Sequence, residues 1–318
     1  MLSRTADHLY WMSRYTERAE NTARMLDVNY QMSLLPQSKA VVQTSWGAVL
    51  EISELGPHYA MEHAQITPIE VMRFMVSDTN NLSSIMRCLQ AARENARAVR
   101  GSITTELWET INTTWLDAQR MIGDGLLERG PAEFFEWVKF RSHLTRGVHN
   151  GTMMRGEVYD FIQLGTFIER ADNTARLLDV KFLAARPAEG SGSDGVDDFY
   201  YWAAILRSVS AFENYRKVYR DVITPERIAE LLILNLGMPR SLSACLQEVV
   251  DTLSRVRNSQ SSSTQMAALR LSSDLRNASI EEILSLGLHA YLTEFLSRIN
   301  NVAVGISQDF LVPLAKEG

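Results

Sequence analysis

Two segments that nearly repeat each other determine how the rest of the chain is interpreted. Residues 15–30 read YTERAENTARMLDVNY, and residues 167–182 read FIERADNTARLLDVKF. Ten of the sixteen aligned positions are identical, at an offset of 152 residues. Self-similarity at a fixed offset is the signature of an internal repeat, so the chain is predicted to contain a duplication.

The similarity continues downstream at an offset of 157 residues. Thr67 aligns with Thr224, and the triplet Cys-Leu-Gln occurs at both 88–90 and 245–247. Each of the two threonines precedes a proline, which is the pattern of an N-cap followed by the first turn of a helix. We therefore predict two copies of one helical unit, packed as one pseudo-symmetric body, at 1–154 and 155–318.

The composition favours long helices. The 318 residues include only 17 glycines and 8 prolines, and no stretch has the alternating pattern of a strand. Residues 5–33 lack both residue types and end before Pro36, and residues 155–186 precede Pro187. The predicted fold is an all-α, internally duplicated helical bundle. Further helices are predicted near 40–55, 67–77, 81–99, 104–121, 132–149, 196–221, 225–235, 239–257, 263–274 and 279–312, with loops at Gly56-Pro57, Gly130-Pro131 and 258–264 and a mobile loop at 189–195.

Charge and cysteine content narrow the classes of function. Acidic residues outnumber Lys and Arg by 38 to 32, so the net charge is −6, which argues against general nucleic-acid binding. The two cysteines, Cys88 and Cys245, occupy equivalent places in the repeat and are predicted to be buried structural thiols. Two lone thiols, the lack of a signal-peptide pattern and the lack of a long apolar run together predict a cytoplasmic protein that does not span a membrane.

A polar stripe runs along each copy of the repeated helix. At 100° per residue, Glu17, Asn21 and Arg24 share one face, and apolar residues occupy most other directions. A helix that is apolar nearly all round is usually buried, so this stripe is predicted to lie in an enclosed environment. The second copy repeats the stripe with Glu169, Asn173 and Arg176, and Arg18 and Arg170 lie beside the two stripes.

Two interpretations of the stripes remain open. Acid-to-base pairs four residues apart, such as Glu20 with Arg24, support ordinary exposed helices. Such pairs do not explain why both copies also keep the Glu-Arg dipeptide and the asparagine, and partly buried charges are costly unless they are paired. The stripes either meet across a pseudo-twofold axis as a structural polar core or line a binding cleft between the halves.

A second polar cluster lies near residue 97. Arg93, Arg97 and Arg100 share one helix face and could hold a phosphate or a carboxylate. The alternative is a solvated face whose arginines pair with nearby acids. Only Arg100 has a counterpart, Arg257, in the second copy.

Common catalytic motifs are missing from the sequence. It contains no glycine-rich phosphate loop, no HExxH, no paired Glu-x-x-His helices, no zinc spacing and no nucleophile elbow. No metal and no cofactor are therefore predicted. A site built from carboxylates alone would escape motif matching, so the question of enzymatic activity stays open.

Four stretches resemble the bacterial alpha-E family of helical domains, named for a Glu-Arg motif. They are LSRTADHLYWMSRYTERAENTARMLD at 2–27, ARENARAVR at 92–100, ELWETIN at 106–112 and GTMMRGEVYDFIQLGTFIERADNTARLLD at 151–179. The family's Glu-Arg pair corresponds to Glu17-Arg18 and again to Glu169-Arg170, and its arginine-rich segment corresponds to Arg93, Glu94, Asn95 and Arg97. The turn GMPRSL at 237–242 is similar to an Asn-Pro-x-Ser turn of the family, whereas the first copy has NNLSSI at 80–85, without the proline.

The resemblance implies a partner. Genes of this family tend to lie beside a circularly permuted ATP-grasp ligase and a transglutaminase-like protein, which suggests a system that forms peptide or amide bonds. The expected function is that of an accessory protein of the ligase, with a polar Glu/Arg site between the repeats. One alternative is an enzyme that uses Glu17 and Glu169 as acid or base, with the neighbouring arginines holding anionic groups. The other is a purely structural helical scaffold.

Overall fold

The structure, a computed structural model, describes residues 1–36, 38–184 and 195–311, without the side chains of 184 and 195–198. Within these ranges the chain forms helices and no strand, which confirms the all-α prediction. The predicted mobile loop at 189–195 lies almost wholly outside the described residues. The helices are α1 (Ser3–Ser33), α2 (Lys39–Ile52), α3 (Gly56–Glu62), α4 (Pro68–Val76), α5 (Ile85–Ala98), α6 (Thr105–Gly123), α7 (Leu126–Arg129), α8 (Pro131–Thr152), α9 (Glu157–Ala184), α10 (Gly195–Ser208), α11 (Phe212–Tyr219), α12 (Pro225–Ile233), α13 (Leu242–Val256), α14 (Ser262–Asn277), α15 (Ile280–Leu286) and α16 (Leu288–Phe310).

Helices α1 and α9, which carry the two repeated segments, pack against each other at the centre of the fold. A Cβ atom added at Gly165 of α9 would lie 2.3 Å from the carbonyl oxygen of Tyr10 in α1. The backbones therefore meet at a glycine because no side chain fits between them. This contact fixes the distance between the two polar stripes.

The outer helices surround the central pair in two corresponding sets. Helices α5 and α8 pack on α1, and α6 packs on both of them; α13 and α16 pack on α9, and α14 packs on both of those. The sets also cross over, since α2 packs on α9 and α10 packs on α1. One cluster of buried apolar side chains includes residues of both halves, such as Leu9 and Leu164.

Helix starts follow the predicted capping chemistry. The hydroxyl oxygens of Thr67 and Thr224 accept hydrogen bonds from the backbone N–H groups of Glu70 and Arg227, which confirms both as N-caps. In the turn before α5, the Ser84 hydroxyl donates to the carbonyl of Asp78 at 2.9 Å. The segment 80–85 therefore forms an ordered turn without a proline.

Some predicted boundaries were wrong, each for a local reason. Residues 196–221 form two helices, because Ser210 adopts a left-handed conformation with φ 54°. Residues 279–312 also divide, at Gly287 with φ 96°. The prediction that Pro57 and Pro131 lie in loops is wrong, because each lies in the first turn of a helix. A backbone N–H in the first turn has no partner within the helix, so proline, which lacks this group, is tolerated there.

The cysteine prediction is confirmed. Cys88 and Cys245 are free and buried. Burial raises the pKa of each thiol to about 12, so neither forms a reactive thiolate near neutral pH. None of the described helices combines the length and apolar character that a membrane crossing requires.

Candidate functional site

The two Glu-Arg dipeptides exchange partners across the α1–α9 contact. Arg18 donates from Nε to Glu169 Oε1 at 2.6 Å and from Nη2 to Glu169 Oε2 at 3.1 Å. Arg170 donates from Nε to Glu17 Oε1 at 2.9 Å and from Nη2 to Glu17 Oε2 at 3.0 Å. Each arginine thus grips the glutamate of the other helix with the two-pronged geometry that guanidinium and carboxylate share.

The Glu17 side of this exchange is enclosed. Glu17 and Glu20 are 1% and 0% exposed. Arg240 enters from the turn before α13 and donates to Glu17 Oε1 at 2.9 Å and to Glu20 Oε1 at 2.5 Å. Arg146 of α8 donates to both glutamates, at 3.0 Å to Glu17 Oε2. We call this set the Glu17 cluster; its members are Glu17, Glu20, Arg24, Arg146, Arg170 and Arg240.

The two glutamates of the Glu17 cluster are held in their ionised form. Burial by itself would raise the pKa of Glu17, but the Arg170 and Arg240 guanidiniums outweigh it and hold this pKa at about 2. The pKa of Glu20 lies well below its usual value for the same kind of reason, with Arg240 as the strongest attracting charge. Glu17 therefore stays ionised near neutral pH and cannot exchange a proton with a substrate.

The Glu169 side opens onto a cleft of about 260 Å³. Its lining includes three arginines and three carboxylates, which balance in charge. Residues of α1, α9 and the end of α2 contribute to it, so the cleft lies beside the contact between α1 and α9. We call it the Glu169 cleft; its polar lining includes Arg14, Arg18, Asn21, Glu54, Ser83, Glu169, Asp172, Asn173, Arg176 and Asn300.

Ion pairs hold the walls of the cleft. Arg14 donates from Nε to Glu169 Oε2 at 2.7 Å. Arg176 binds Asp172 through Nε and Nη2 at 2.7 and 3.1 Å, and it also pairs with Glu54. Although burial would raise the pKa of Glu169, Arg14 and then Arg18 lower it below its usual value. Both Glu169 and its partners are therefore charged near neutral pH.

One buried polar atom at the cleft has no partner. Asn21 is 3% exposed, and its Oδ1 accepts a hydrogen bond from Arg240 Nη1 at 2.8 Å. Its Nδ2 has no hydrogen-bond partner among the described residues, although the side chain lines the cleft. An unpaired buried donor costs about 1–3 kcal/mol, and a ligand that carries an acceptor would remove that cost.

The structure divides the predicted site residues into three groups. Arg18, Asn21, Glu169, Asn173 and Arg176 come together at the Glu169 cleft. Glu17, Arg24 and Arg170 belong to the Glu17 cluster, where Arg24 also donates to the Ser210 hydroxyl at 2.5 Å. The Arg93, Arg97 and Arg100 side chains do not line the cleft.

The arginine-rich segment of α5 faces α6 instead. Arg93 donates to Asn112 Oδ1 at 2.8 Å, and Arg93 and Arg97 both pair with Glu94. The Arg100 guanidinium lies 5.5 Å from the ring centre of Trp108. These contacts match the solvated, internally paired face that was the alternative to an anion site.

Sequence reasoning missed three arginines that complete the ion pairs, namely Arg14, Arg146 and Arg240. Arg14 carries no repeat signal, because its counterpart at the offset of 152 is Thr166, and Arg146 lies outside the aligned segments. Arg240 lies in the GMPRSL turn, whose alignment with NNLSSI sets it opposite Ser83. That arginine-to-serine difference within an aligned turn was the available signal.

Other places that could hold ligands are separate from the ion pairs. Glu62, His63 and Asp78 bring one ligand atom each to within 4.8 Å of one another, but the glutamate is exposed and already accepts from Asn80. A mainly apolar cavity of about 340 Å³ lies between α1, α2 and α10. Lys181 lines it, and burial lowers the pKa of this amine to about 8.

A comparison with known protein families matches residues 1–311 to Alpha-E, described as a predicted alpha-helical domain with a conserved ER motif. The Glu-Arg dipeptides at 17–18 and 169–170 both lie inside the matched range. No curated protein and no solved structure matches the chain.

Proposed function

Since the chain belongs to the Alpha-E family, we propose that it is a ligand-binding partner of an ATP-grasp ligase that forms amide or peptide bonds, and that the Glu169 cleft is its ligand site. The partnership, which extends to a transglutaminase-like protein, derives from the family resemblance. The observation that supports the cleft is its lining, which includes three arginines, three carboxylates and Asn21, whose buried amide Nδ2 has no hydrogen-bond partner among the described residues. Polar groups in such a pocket fix the orientation of a ligand.

We also propose that the chain is a duplication with a pseudo-twofold axis between α1 and α9, each half spanning 1–154 or 155–318. The reciprocal Glu-Arg pairs support it. Glu54 and Ser210 also support it, because they lie 156 residues apart and both have a left-handed backbone conformation. Glu54 pairs with Arg176 of α9, and the Ser210 hydroxyl accepts from Arg24 of α1. In this proposal one copy of an ancestral polar site has become the Glu17 cluster and the other has remained open.

Binding fits the geometry better than acid–base catalysis. A general acid or base works best with a pKa near the operating pH, whereas Glu17 and Glu169 are both held ionised by arginines. Glu17 also lies outside the cleft. The scaffold alternative applies to the Glu17 cluster alone, because each carboxylate oxygen of Glu17 and Glu20 already accepts a hydrogen bond from an arginine of the cluster. Two free buried cysteines support our proposal of a cytoplasmic location.

The test measures ligase turnover with and without this protein, together with co-purification of the ligase and of the transglutaminase-like protein. Ser53, at the end of α2, lines the cleft, and Ser53→Trp should fill it and remove the protein's effect on turnover. Ser285→Trp, at an exposed position of α15, is the matched control and should keep that effect. Full ligase turnover in the absence of this protein, together with no co-purification, would refute the proposal.

A further inference from the structure

Glu17 and Glu169 have nearly the same hydrogen-bond partners. Each accepts from Nε of the opposite arginine at Oε1 and from Nη2 of that arginine at Oε2. Each Oε2 then accepts from one more arginine, which is Arg146 at Glu17 and Arg14 at Glu169. Three of the four donor positions around these carboxylates are therefore filled alike.

The fourth donor position differs. Glu17 Oε1 accepts a second hydrogen bond from Arg240 Nη1 at 2.9 Å. Among the described residues, Glu169 Oε1 accepts only from Arg18 Nε. A carboxylate oxygen has room for two donors, so Glu169 Oε1, on a side chain that lines the cleft, has one unused acceptor position.

The counterparts of the other Arg240 contacts also line the cleft. Arg240 donates to Asn21 Oδ1 and to Glu20 Oε1. At the repeat offset of 152 these correspond to Asn173 and Asp172, and both belong to the cleft lining. The acceptors that bind one guanidinium inside the Glu17 cluster thus recur in the Glu169 cleft.

Arg240 itself has a short counterpart. At the offset of 157 its position corresponds to Ser83, which lines the cleft. Where the second copy inserts a guanidinium, the first copy leaves space. Arg240 therefore shows which group the cleft lacks.

We propose that the Glu169 cleft binds a guanidinium group of its ligand in the place that Arg240 occupies beside Glu17, with Glu169, Asp172 and Asn173 as acceptors. This inference rests on the proposed function, because it names the substrate class of that same site. Arg240 reaches its acceptors from two different nitrogens, Nη1 and Nη2, which a planar guanidinium does and a single ammonium nitrogen does not.

Charge and the unpaired amide agree with this ligand class. The Glu17 cluster has four arginines and two glutamates, whereas the Glu169 cleft has equal numbers of positive and negative side chains. Since the fold holds an excess of positive charge in the Glu17 cluster, it can hold one added positive charge in the cleft. Asn21 Nδ2 needs an acceptor. A ligand with a guanidinium at one end and a carboxylate or carbonyl at the other, such as arginine or an arginine residue in a peptide, supplies both.

The experiment is calorimetric titration of the full chain with L-arginine, agmatine, N-acetyl-L-arginine amide, L-lysine, L-glutamate and inorganic phosphate. We expect L-arginine to bind and L-lysine to bind at least about tenfold more weakly, the loss of one charge-assisted hydrogen bond. If L-arginine binds more tightly than N-acetyl-L-arginine amide, the guanidinium group of the ligand belongs to a free small molecule. If N-acetyl-L-arginine amide binds more tightly, the guanidinium group belongs to an arginine residue of a peptide. No binding by any of the three guanidinium compounds overturns the inference.

The matched variants are Ser83→Arg and Leu82→Arg. Ser83→Arg should supply the guanidinium from the chain itself, abolish arginine binding and raise the melting temperature. Leu82 is its neighbour, is 69% exposed and lies outside the cleft lining, so Leu82→Arg should bind arginine as the natural chain does. Unchanged arginine affinity in a folded Ser83→Arg protein would also overturn the inference.

A further variant keeps the inference testable if Ser83→Arg fails to fold. Asp172→Asn should weaken arginine binding about ten- to a hundredfold through loss of one charged acceptor; unchanged affinity refutes the inference. The results also separate this inference from the proposed function. If L-glutamate or phosphate binds and Ser83→Arg abolishes that binding while no guanidinium compound binds, the cleft remains the ligand site and only the guanidinium assignment fails.

Discussion

Replacing Arg240 with methionine tests whether the Glu17 cluster stabilises the packing of the turn before α13 against α1. The substitution removes two charged contacts, to Glu17 and Glu20, and one hydrogen bond to Asn21. Removing one partner of a buried ion pair costs about 3–5 kcal/mol. Arg146 and two further arginines still neutralise the glutamates after the change, so we expect the lower end, about 3 kcal/mol.

Calorimetry can measure this loss directly. With an unfolding entropy of about 2.1 cal/mol/K per residue, 3 kcal/mol corresponds to a fall in melting temperature of about 4–5 °C for a chain of this length. Arg93→Met is the matched control, because Arg93 is a half-buried arginine with an acidic partner outside both polar sites, and its loss should cost less than about 1 kcal/mol. Equal shifts for Arg240→Met and Arg93→Met would refute the structural role of the cluster.

Three further perturbations probe the pH response, the helix contact and the apolar cavity. Glu17 has a pKa of about 2 in the fold against an ordinary 4.5, so its ionised form stabilises the fold fully above pH 4.5 and this stabilisation disappears as the pH falls toward 2. Glu17→Gln should therefore remove about 3 kcal/mol of the pH dependence of the free energy of unfolding, as measured by urea unfolding at each pH. An unchanged dependence on pH would contradict this role of Glu17. Gly165→Ala should lower the free energy of unfolding by about 1–3 kcal/mol or more, because its Cβ would meet the Tyr10 carbonyl, and a neutral result would mean that α1 and α9 are not in contact there. Burial lowers the pKa of the Lys181 amine from 10.5 to about 8, so the free-energy cost of its charge grows as the pH falls from 10.5 to 8 and stays constant below pH 8. Lys181→Met should therefore raise the free energy of unfolding at pH 7 by about 1–3 kcal/mol. A lower free energy of unfolding would show that the amine has a favourable partner.

The fold was largely predictable because its signals are local. Threonine before proline predicts a helix start, and Thr67 and Thr224 cap α4 and α12 as expected. The breaks at Ser210 and Gly287 were not predictable in the same way. Serine has no strong preference for a left-handed backbone, and a single glycine inside a helical pattern is often tolerated.

The candidate site was only half predictable, because it depends on contacts between distant residues. The repeat identified Glu17, Glu169 and their arginines as a related set. It could not show that Glu169 would line the cleft while Glu17 would not, since Glu17 is contacted by Arg240, more than 200 residues away from it. The local pattern at Arg93 and Arg97 also predicted a possible anion site, but in the structure both arginines form ion pairs with the adjacent Glu94.

The most direct test of the whole account compares Glu17→Gln with Glu169→Gln in the ligase turnover assay, at equal concentrations of folded protein. We expect Glu17→Gln to lower stability but to keep the effect on turnover, because Glu17 lies outside the cleft. Glu169→Gln should abolish that effect, because an acceptor in the cleft lining loses its charge. Equal loss of the effect in both variants, or loss in Glu17→Gln alone, would contradict the division into a structural cluster and a ligand site.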